Sequence, residues 1–239
     1  MSEIALRFAQ VEKRYAGAPV VSGFSLDVRR GEFFGLIGVN GAGKTTLIKC
    51  LLYVCDAEGG AIEILSVPHT STSARARIAY LPERFNPPFY LTGRDFLHYM
   101  LGLHRTRYDE AEAVRAFVAL DLEPAALDRP ARAYSKGMMQ KLGLAACLLS
   151  GKDLYVLDEP TGGLDPKARA LLKRELVALR RSGRTLFFTS HTLADVADLC
   201  DRLAVMHAGR LRFAGTPAEL TGRTGTSSLE QAFLACIAE

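Results

Sequence analysis

Gly38-Val39-Asn40-Gly41-Ala42-Gly43-Lys44-Thr45-Thr46 is the most specific run of residues in the chain. Its spacing fits G-x-x-x-x-G-K-[ST], a loop that holds phosphate. Glycine lets the backbone come close to an anion where a Cβ would stand in the way, and the N–H groups then turn inward. Lys44 brings a positive charge toward the β- and γ-phosphates, and the Thr45 hydroxyl is placed to ligate Mg²⁺. Asn40, Gly41, Ala42, Gly43, Lys44, Thr45 and Thr46 are therefore candidate nucleotide-binding residues. The apolar run Phe33–Ile37 upstream reads as a strand. Leu47–Leu52 downstream reads as a helix, whose N-terminal dipole favours a bound anion. Strand, loop and helix in that order are the context this motif requires.

A second stretch complements the first. Leu154-Tyr155-Val156-Leu157-Asp158-Glu159 is four apolar residues ending in two acids. Such an unbroken apolar run suits a buried parallel strand, whose C-terminal end opens on the ligand crevice of an α/β sheet. Asp158 then stands beside the phosphate loop as the Mg²⁺-side carboxylate, and Glu159 is placed to take a proton from attacking water. A pair of acids at a strand end is otherwise an ordinary solvated turn; the loop at 38–46 favours the chemical reading. Thr185–Thr189 reads as another buried strand, and His191 just beyond it reaches the γ-phosphate by the same crevice argument.

The remaining chain reads as follows. Residues 4–15 and 25–28 alternate loosely, as strands of an antiparallel region with one wet face. Tyr15 ends the first, either as an aromatic platform for a base or as core. Ala61–Leu65 and Ile78–Leu81 are strands, with a surface loop or short helix over 66–77. After Glu83 the proline-broken segment Arg84–Tyr90 leads into helices near 92–103 and 108–120 and a third from Ser135, a helical insert over about 84–150. Pro166–Arg181 is a helix with Asp165 as N-cap and Pro166 at its first position. Residues 192–200 are helical, and strands 203–206 and 211–213 flank a turn at Gly209. Residues 222–228 read as a flexible joint and 229–238 as a short amphipathic helix, which divides the chain into a domain over 1–222 and a tail over 223–239.

Composition narrows the function class. The chain has 239 residues, 49% of them hydrophobic, enough for a sizeable core. Its net charge of +4 comes from scattered basic residues, so nucleic-acid binding is not expected. Cys50, Cys55, Cys147, Cys200 and Cys236 form no C-x-x-C pair and read as reduced thiols of a cytosolic protein. No apolar run approaches the ~20 residues that span a bilayer, and Met1-Ser2-Glu3 does not open a signal peptide. Attachment to a membrane is expected only through a partner.

Taken in order, these pieces resemble the nucleotide-binding subunits of ATP-binding cassette (ABC) transporters over about residues 4–220, and look like the branch that pairs with type-2 exporter permeases. The segment Tyr134-Ser135-Lys136-Gly137-Met138-Met139-Gln140-Lys141 stands where the family has its Leu-Ser-Gly-Gly-Gln signature, with Lys136 for a Gly and Met138 for Gln. Ser135 is also a good N-cap, and Met139, Leu142, Ala146 and Leu149 lie on one face of the helix it starts. The resemblance implies an α/β fold: a P-loop NTPase, RecA-like core with an antiparallel β subdomain and an inserted α-helical subdomain. It implies ATP and Mg²⁺ as ligands, Tyr15 stacked on adenine, and Lys44, Glu159 and His191 as catalytic groups. Ser135, Lys136, Gly137 and Met138 would contact the ATP of an opposite subunit, and Asp165 would lie in the loop crossing that interface. Glu83 stands where the family usually has Gln; a carboxylate can still ligate Mg²⁺ beside Thr45 and Asp158, but it donates no hydrogen bond to water. The expected partners are a second copy of the subunit and an integral-membrane permease, on the cytoplasmic face of the cell membrane. A soluble ABC-type ATPase of DNA repair or translation is the alternative. It is disfavoured by the single cassette and the lack of heptads or a basic tail. A small-molecule P-loop kinase would need neither the signature helix nor the Asp165 loop.

Overall fold

The computed structural model describes residues 3–238. Two sheets carry the chain. The first holds β1 (Ile4–Tyr15), β2 (Ala18–Arg29), β4 (Gly59–Ile64) and β5 (Val67–Pro68), all antiparallel, in the order β2-β1-β4-β5. The second holds β3 (Phe33–Ile37), β6 (Ile78–Leu81), β7 (Leu154–Asp158), β8 (Thr185–Ser190), β9 (Arg202–His207) and β10 (Arg210–Gly215), in the order β10-β9-β3-β8-β7-β6. Only the β9–β10 hairpin is antiparallel there. The register sets Leu157 opposite Phe188 and Ile37 opposite Ser190. The C-terminal ends of β3, β7 and β8 therefore finish side by side, each followed by one of the segments singled out in the sequence.

Alternation along the central strands separates two cores, because successive side chains point to opposite faces. Phe34, Leu36, Val156, Phe187, Ala204 and Met206 face the antiparallel sheet and α1 (Lys44–Leu51). Phe33, Ile37, Tyr155, Leu157, Phe188 and Val205 face a helical layer. That layer contains α3 (Gly93–Leu103), α4 (Glu110–Ala119) and α5 (Lys136–Leu149), after the single-turn α2 (Thr72–Arg75). The three longer helices start at Thr92, Asp109 and Ser135, each accepting a hydrogen bond from a backbone N–H three residues on, which satisfies an otherwise orphaned donor. Then come α6 (Pro166–Arg181), α7 (Leu193–Leu199), α8 (Pro217–Thr224) and α9 (Leu229–Ala238).

Three expectations are corrected. The second strand runs over Ala18–Arg29, not 25–28: Pro19 and Gly23 hide its periodicity, and the ladder absorbs them with register shifts. The flexible joint at 222–228 begins as helix. A capping box between Thr216 and Glu219 with Pro217 in the first turn starts α8, which runs to Thr224 and stops at Gly225 with φ 66°. The boundary placed at residue 222 thus falls inside a helix. The tail packs: Ala232 and Cys236 of α9 are buried in the helical-side core.

The insert also touches the sheet closely. A Cβ on Gly143 of α5 would stand 2.6 Å from Leu81 Cδ1 and 3.0 Å from Phe85 Cδ1. Gly→Ala in a helix interior normally stabilises by about 0.5–1 kcal/mol. Gly143→Ala should instead destabilise by roughly 1–3 kcal/mol through overpacking. Thermal denaturation reads the sign, and a raised Tm would mean that α5 has room to move away.

Candidate functional site

The loop after β3 closes around its own lysine. Lys44, only 7% exposed, donates to the Gly38 carbonyl at 2.6 Å and to the Val39 carbonyl at 3.3 Å. Gly41 and Gly43 take φ of 81° and 105°, which L side chains avoid. A Cβ on Gly43 would press within 2.6 Å of the Val20 carbonyl. Burial lowers the Lys44 pKa, against the nearby charges of Glu159, Asp158 and Glu83.

Asp158 is the last residue of β7 and almost wholly buried. Thr45 Oγ1 donates to its Oδ2 at 3.0 Å and Thr189 Oγ1 to its Oδ1 at 2.5 Å. Burial raises the Asp158 pKa above its ordinary 3.8, and outweighs both hydroxyls and Lys44, which pull it down. Glu159 leaves the strand at φ 51°, a left-handed turn that is strained for a non-glycine and recurs at functional sites. Its N–H donates to Thr189 Oγ1 at 2.9 Å. Its Oε2 is 2.8 Å from His191 Nδ1 and accepts the His191 backbone N–H at 3.3 Å.

These groups meet in one cavity of about 580 Å³, lined by Asn40 to Thr46, Glu83, Asp158, Glu159 and His191. Tyr15 does not line it; it is 46% exposed and lies beneath the Lys13 ammonium, 5.3 Å from its ring centre. Nor do Ser135, Gly137 and Met138. Ser135 caps α5 by accepting the Met138 N–H at 3.2 Å, and Met138 packs on the core. Lys136 lines an adjoining cleft that shares Glu83, Glu159 and His191 with the cavity. Asp165 caps α6 by accepting the Ala168 N–H at 2.9 Å.

Sequence reading missed Thr189 and Gln140. Thr189, fully buried, holds both acids through one oxygen; only the strand register, Asp158 opposite Thr189, exposes that role. Gln140, inside the signature segment, donates to the Pro160 carbonyl at 3.4 Å and so joins α5 to the loop after Glu159.

A phosphate-binding loop, a buried acid hydrogen-bonded to its threonine, and an acid–histidine pair thus share one cavity. The ABC transporter family profile matches residues 21–162, more than half of the chain. The chain belongs to the ABC transporter ATP-binding family. Nod factor export ATP-binding protein I of Burkholderia orbicola is 41% identical over 223 residues, 91% of this chain and 72% of that protein. An uncharacterised ABC transporter ATP-binding protein of Synechocystis sp. is 41% identical over 204 residues, 83% of this chain; the chain spans 57% of that relative's length. A solved ATP-binding subunit of an ABC transporter superposes with a TM-score of 0.89 at 28% identity, over 97% of this chain and 99% of the other.

A raised Asp158 pKa means that the native state holds the proton more readily than the unfolded chain. The stability this group contributes is present at low pH and is lost as pH climbs from 3.8 through the native value. Asp158→Asn carries no charge and keeps an acceptor. Without nucleotide or divalent cation, it should melt a few degrees above wild type near neutral pH, and the gap should close on acidification. Calorimetry across that range decides it; a variant that melts lower near neutrality would show that the carboxylate stabilises the fold.

Proposed function

We propose that this chain hydrolyses ATP as the energising subunit of an exporter and works as a head-to-tail pair. One observation carries the reading. The cavity gathers the phosphate loop, Asp158, Glu159 and His191, while the capped N-terminus of α5, with Ser135, Gly137 and Met138, stands outside it. A helix N-terminus is an anion site, so each chain presents the two halves of a phosphate site in separate places. A second copy, turned about, completes both.

The donor set suits Mg²⁺. Thr45 Oγ1 and Asp158 Oδ2 are two hard oxygens 3.0 Å apart at the cavity. Among the described residues no cluster of three His, Cys, Asp or Glu could hold a metal unaided, and Mg²⁺ commonly completes its shell with phosphate and water oxygens. Bound there, it would screen the charge developing on the transferred phosphoryl group. Lys44 neutralises the β- and γ-phosphates once it leaves the Gly38 carbonyl. Glu159 accepts the proton of the attacking water, with His191 orienting its carboxylate. Glu83, on the loop into the insert, reports on the same cavity.

No helix among the described residues is long and apolar enough to cross a membrane. In the proposed exporter a separate permease carries the transport, with this chain on the cytoplasmic face. Phe89 and Tyr90, 65% and 66% exposed and edge to face with each other in the loop that follows Glu83, and Tyr99 and Leu103, one turn apart on α3, are exposed apolar side chains that suit such a partner. The named Burkholderia relative is a Nod factor export ATP-binding protein; for this chain we infer export and no particular cargo.

Glu159→Gln should slow ATP turnover by about a hundredfold or more and accumulate an ATP-bound dimer, read by size-exclusion chromatography with light scattering. A variant that stays monomeric with saturating ATP and Mg²⁺ sinks the paired-site mechanism.

A further inference from the structure

We propose that Cys50 and Cys55 form a thiol pair that a hydroperoxide converts to a disulfide, and that this releases Tyr15 and weakens nucleotide binding. The sulfurs lie 3.7 Å apart, although four residues lie between them in sequence.

The end of α1 builds this contact. Tyr53 takes φ 56°; its N–H donates to the Cys50 carbonyl at 3.0 Å, and the Val54 N–H donates to the Lys49 carbonyl at 2.9 Å. These two bonds define a Schellman motif, which reverses the chain at a helix end. Glycine usually takes the left-handed position; here tyrosine does. The reversal carries Cys55 back alongside the last turn of α1, where its N–H reaches the Lys49 carbonyl at 3.4 Å.

The two thiols differ in kind. Cys50 is fully buried, and burial pushes its pKa up to about 12. Cys55 is half-buried, beside the Lys13 ammonium that pairs with Glu58 at 3.2 Å. A thiol that is accessible and close to a cation is the one that reacts first. The Cys55 thiolate attacks one peroxide oxygen, giving a sulfenic acid and releasing the other oxygen as water or an alcohol. The Cys50 sulfur, already in contact, then attacks the Cys55 sulfur and expels the second oxygen as water. The two thiol protons end in those products, and the peroxide is reduced by two electrons.

The consequence runs through Tyr15, whose hydroxyl donates to Cys55 Sγ at 3.7 Å. A disulfide draws the sulfurs together to about 2 Å, so the Cys55 sulfur shifts toward the buried Cys50 and its 3.7 Å contact with the Tyr15 hydroxyl is broken. The Tyr15 hydroxyl then loses its sulfur acceptor, and the ring keeps only the Lys13 ammonium over its face. This step rests on the ATP reading above, in which Tyr15 stacks on the base.

The test uses the full chain, reduced and then treated with hydrogen peroxide. Trypsin leaves both cysteines on one peptide, residues 50–75, because no Lys or Arg lies between Lys49 and Arg75. That peptide should lose two hydrogens, resist thiol alkylation, and recover both with dithiothreitol. Affinity for a fluorescent ATP analogue should fall about tenfold on oxidation, the scale of one aromatic–base stack, and return on reduction. Cys55→Ser should bind equally before and after peroxide. A peptide that keeps its thiols overturns the proposal, as does a disulfide that leaves affinity unchanged. Failure of the reduced protein to bind the analogue would overturn the ATP reading itself, and the switch with it, while the peptide mass would still report whether the thiols pair.

Discussion

The site depends on one buried carboxylate. Asp158 sits where three parallel strands end, out of contact with bulk water, and its charge is costly there. The Thr45 and Thr189 hydroxyls offset part of that cost, and in doing so tie three separate segments to one point. Through Thr45 the bond fixes the first turn of α1, and so the angle at which the phosphate loop leaves β3. Through Thr189 it fixes the end of β8, and so where His191 begins. Glu159 follows directly, turned into the cavity by a left-handed φ that Thr189 secures at its N–H. Strain at Glu159 and desolvation at Asp158 are both unfavourable alone; one threonine oxygen serves both.

The same sheet is held from both faces. Phe33 and Phe34 point to opposite cores, so β3 is gripped by the antiparallel sheet on one side and by the helical layer on the other. On the helical side, α5 has two handles on the site. Gly143 lets it lie against Leu81 and Phe85, which flank Glu83, and Gln140 bonds the Pro160 carbonyl one residue beyond Glu159. A shift of α5 therefore acts on the Glu83 loop and the Glu159 loop together. Since the N-terminus of α5 carries Ser135 and Gly137, whatever engages that terminus is coupled to the chemistry of the same chain by direct packing.

Much of this was legible in the sequence, for reasons that are local. The loop at 38–46, the acids at the end of an apolar run and the caps at Ser135 and Asp165 depend on neighbours within a few residues; the loop and the acids line one cavity, and the caps start α5 and α6. What was not legible depends on register or on backbone reversal. Thr189 is one more residue of an apolar strand until β8 is laid beside β7. Cys50 and Cys55 look like scattered thiols until Tyr53 turns left-handed. The strand over 18–29 is long because bulges absorb Pro19 and Gly23, which read in isolation as breaks. The start of α8 was readable, since Thr216-Pro217-Ala218-Glu219 spells a capping box.

Charge in the cavity explains why a carboxylate at position 83 is tolerable. Glu83, Asp158 and Glu159 line the walls with a single ammonium, Lys44, which is buried and engaged with backbone carbonyls. A bare polyphosphate entering such a space meets more negative than positive charge in a poorly screened setting. In the proposed ATPase, a divalent cation accompanying the nucleotide reverses that balance, and each additional carboxylate then favours the metal-bound form over the free polyanion. A glutamine at position 83 would position water without this discrimination. In that proposal the glutamate surrenders a hydrogen-bond donor and makes nucleotide binding depend more steeply on the cation.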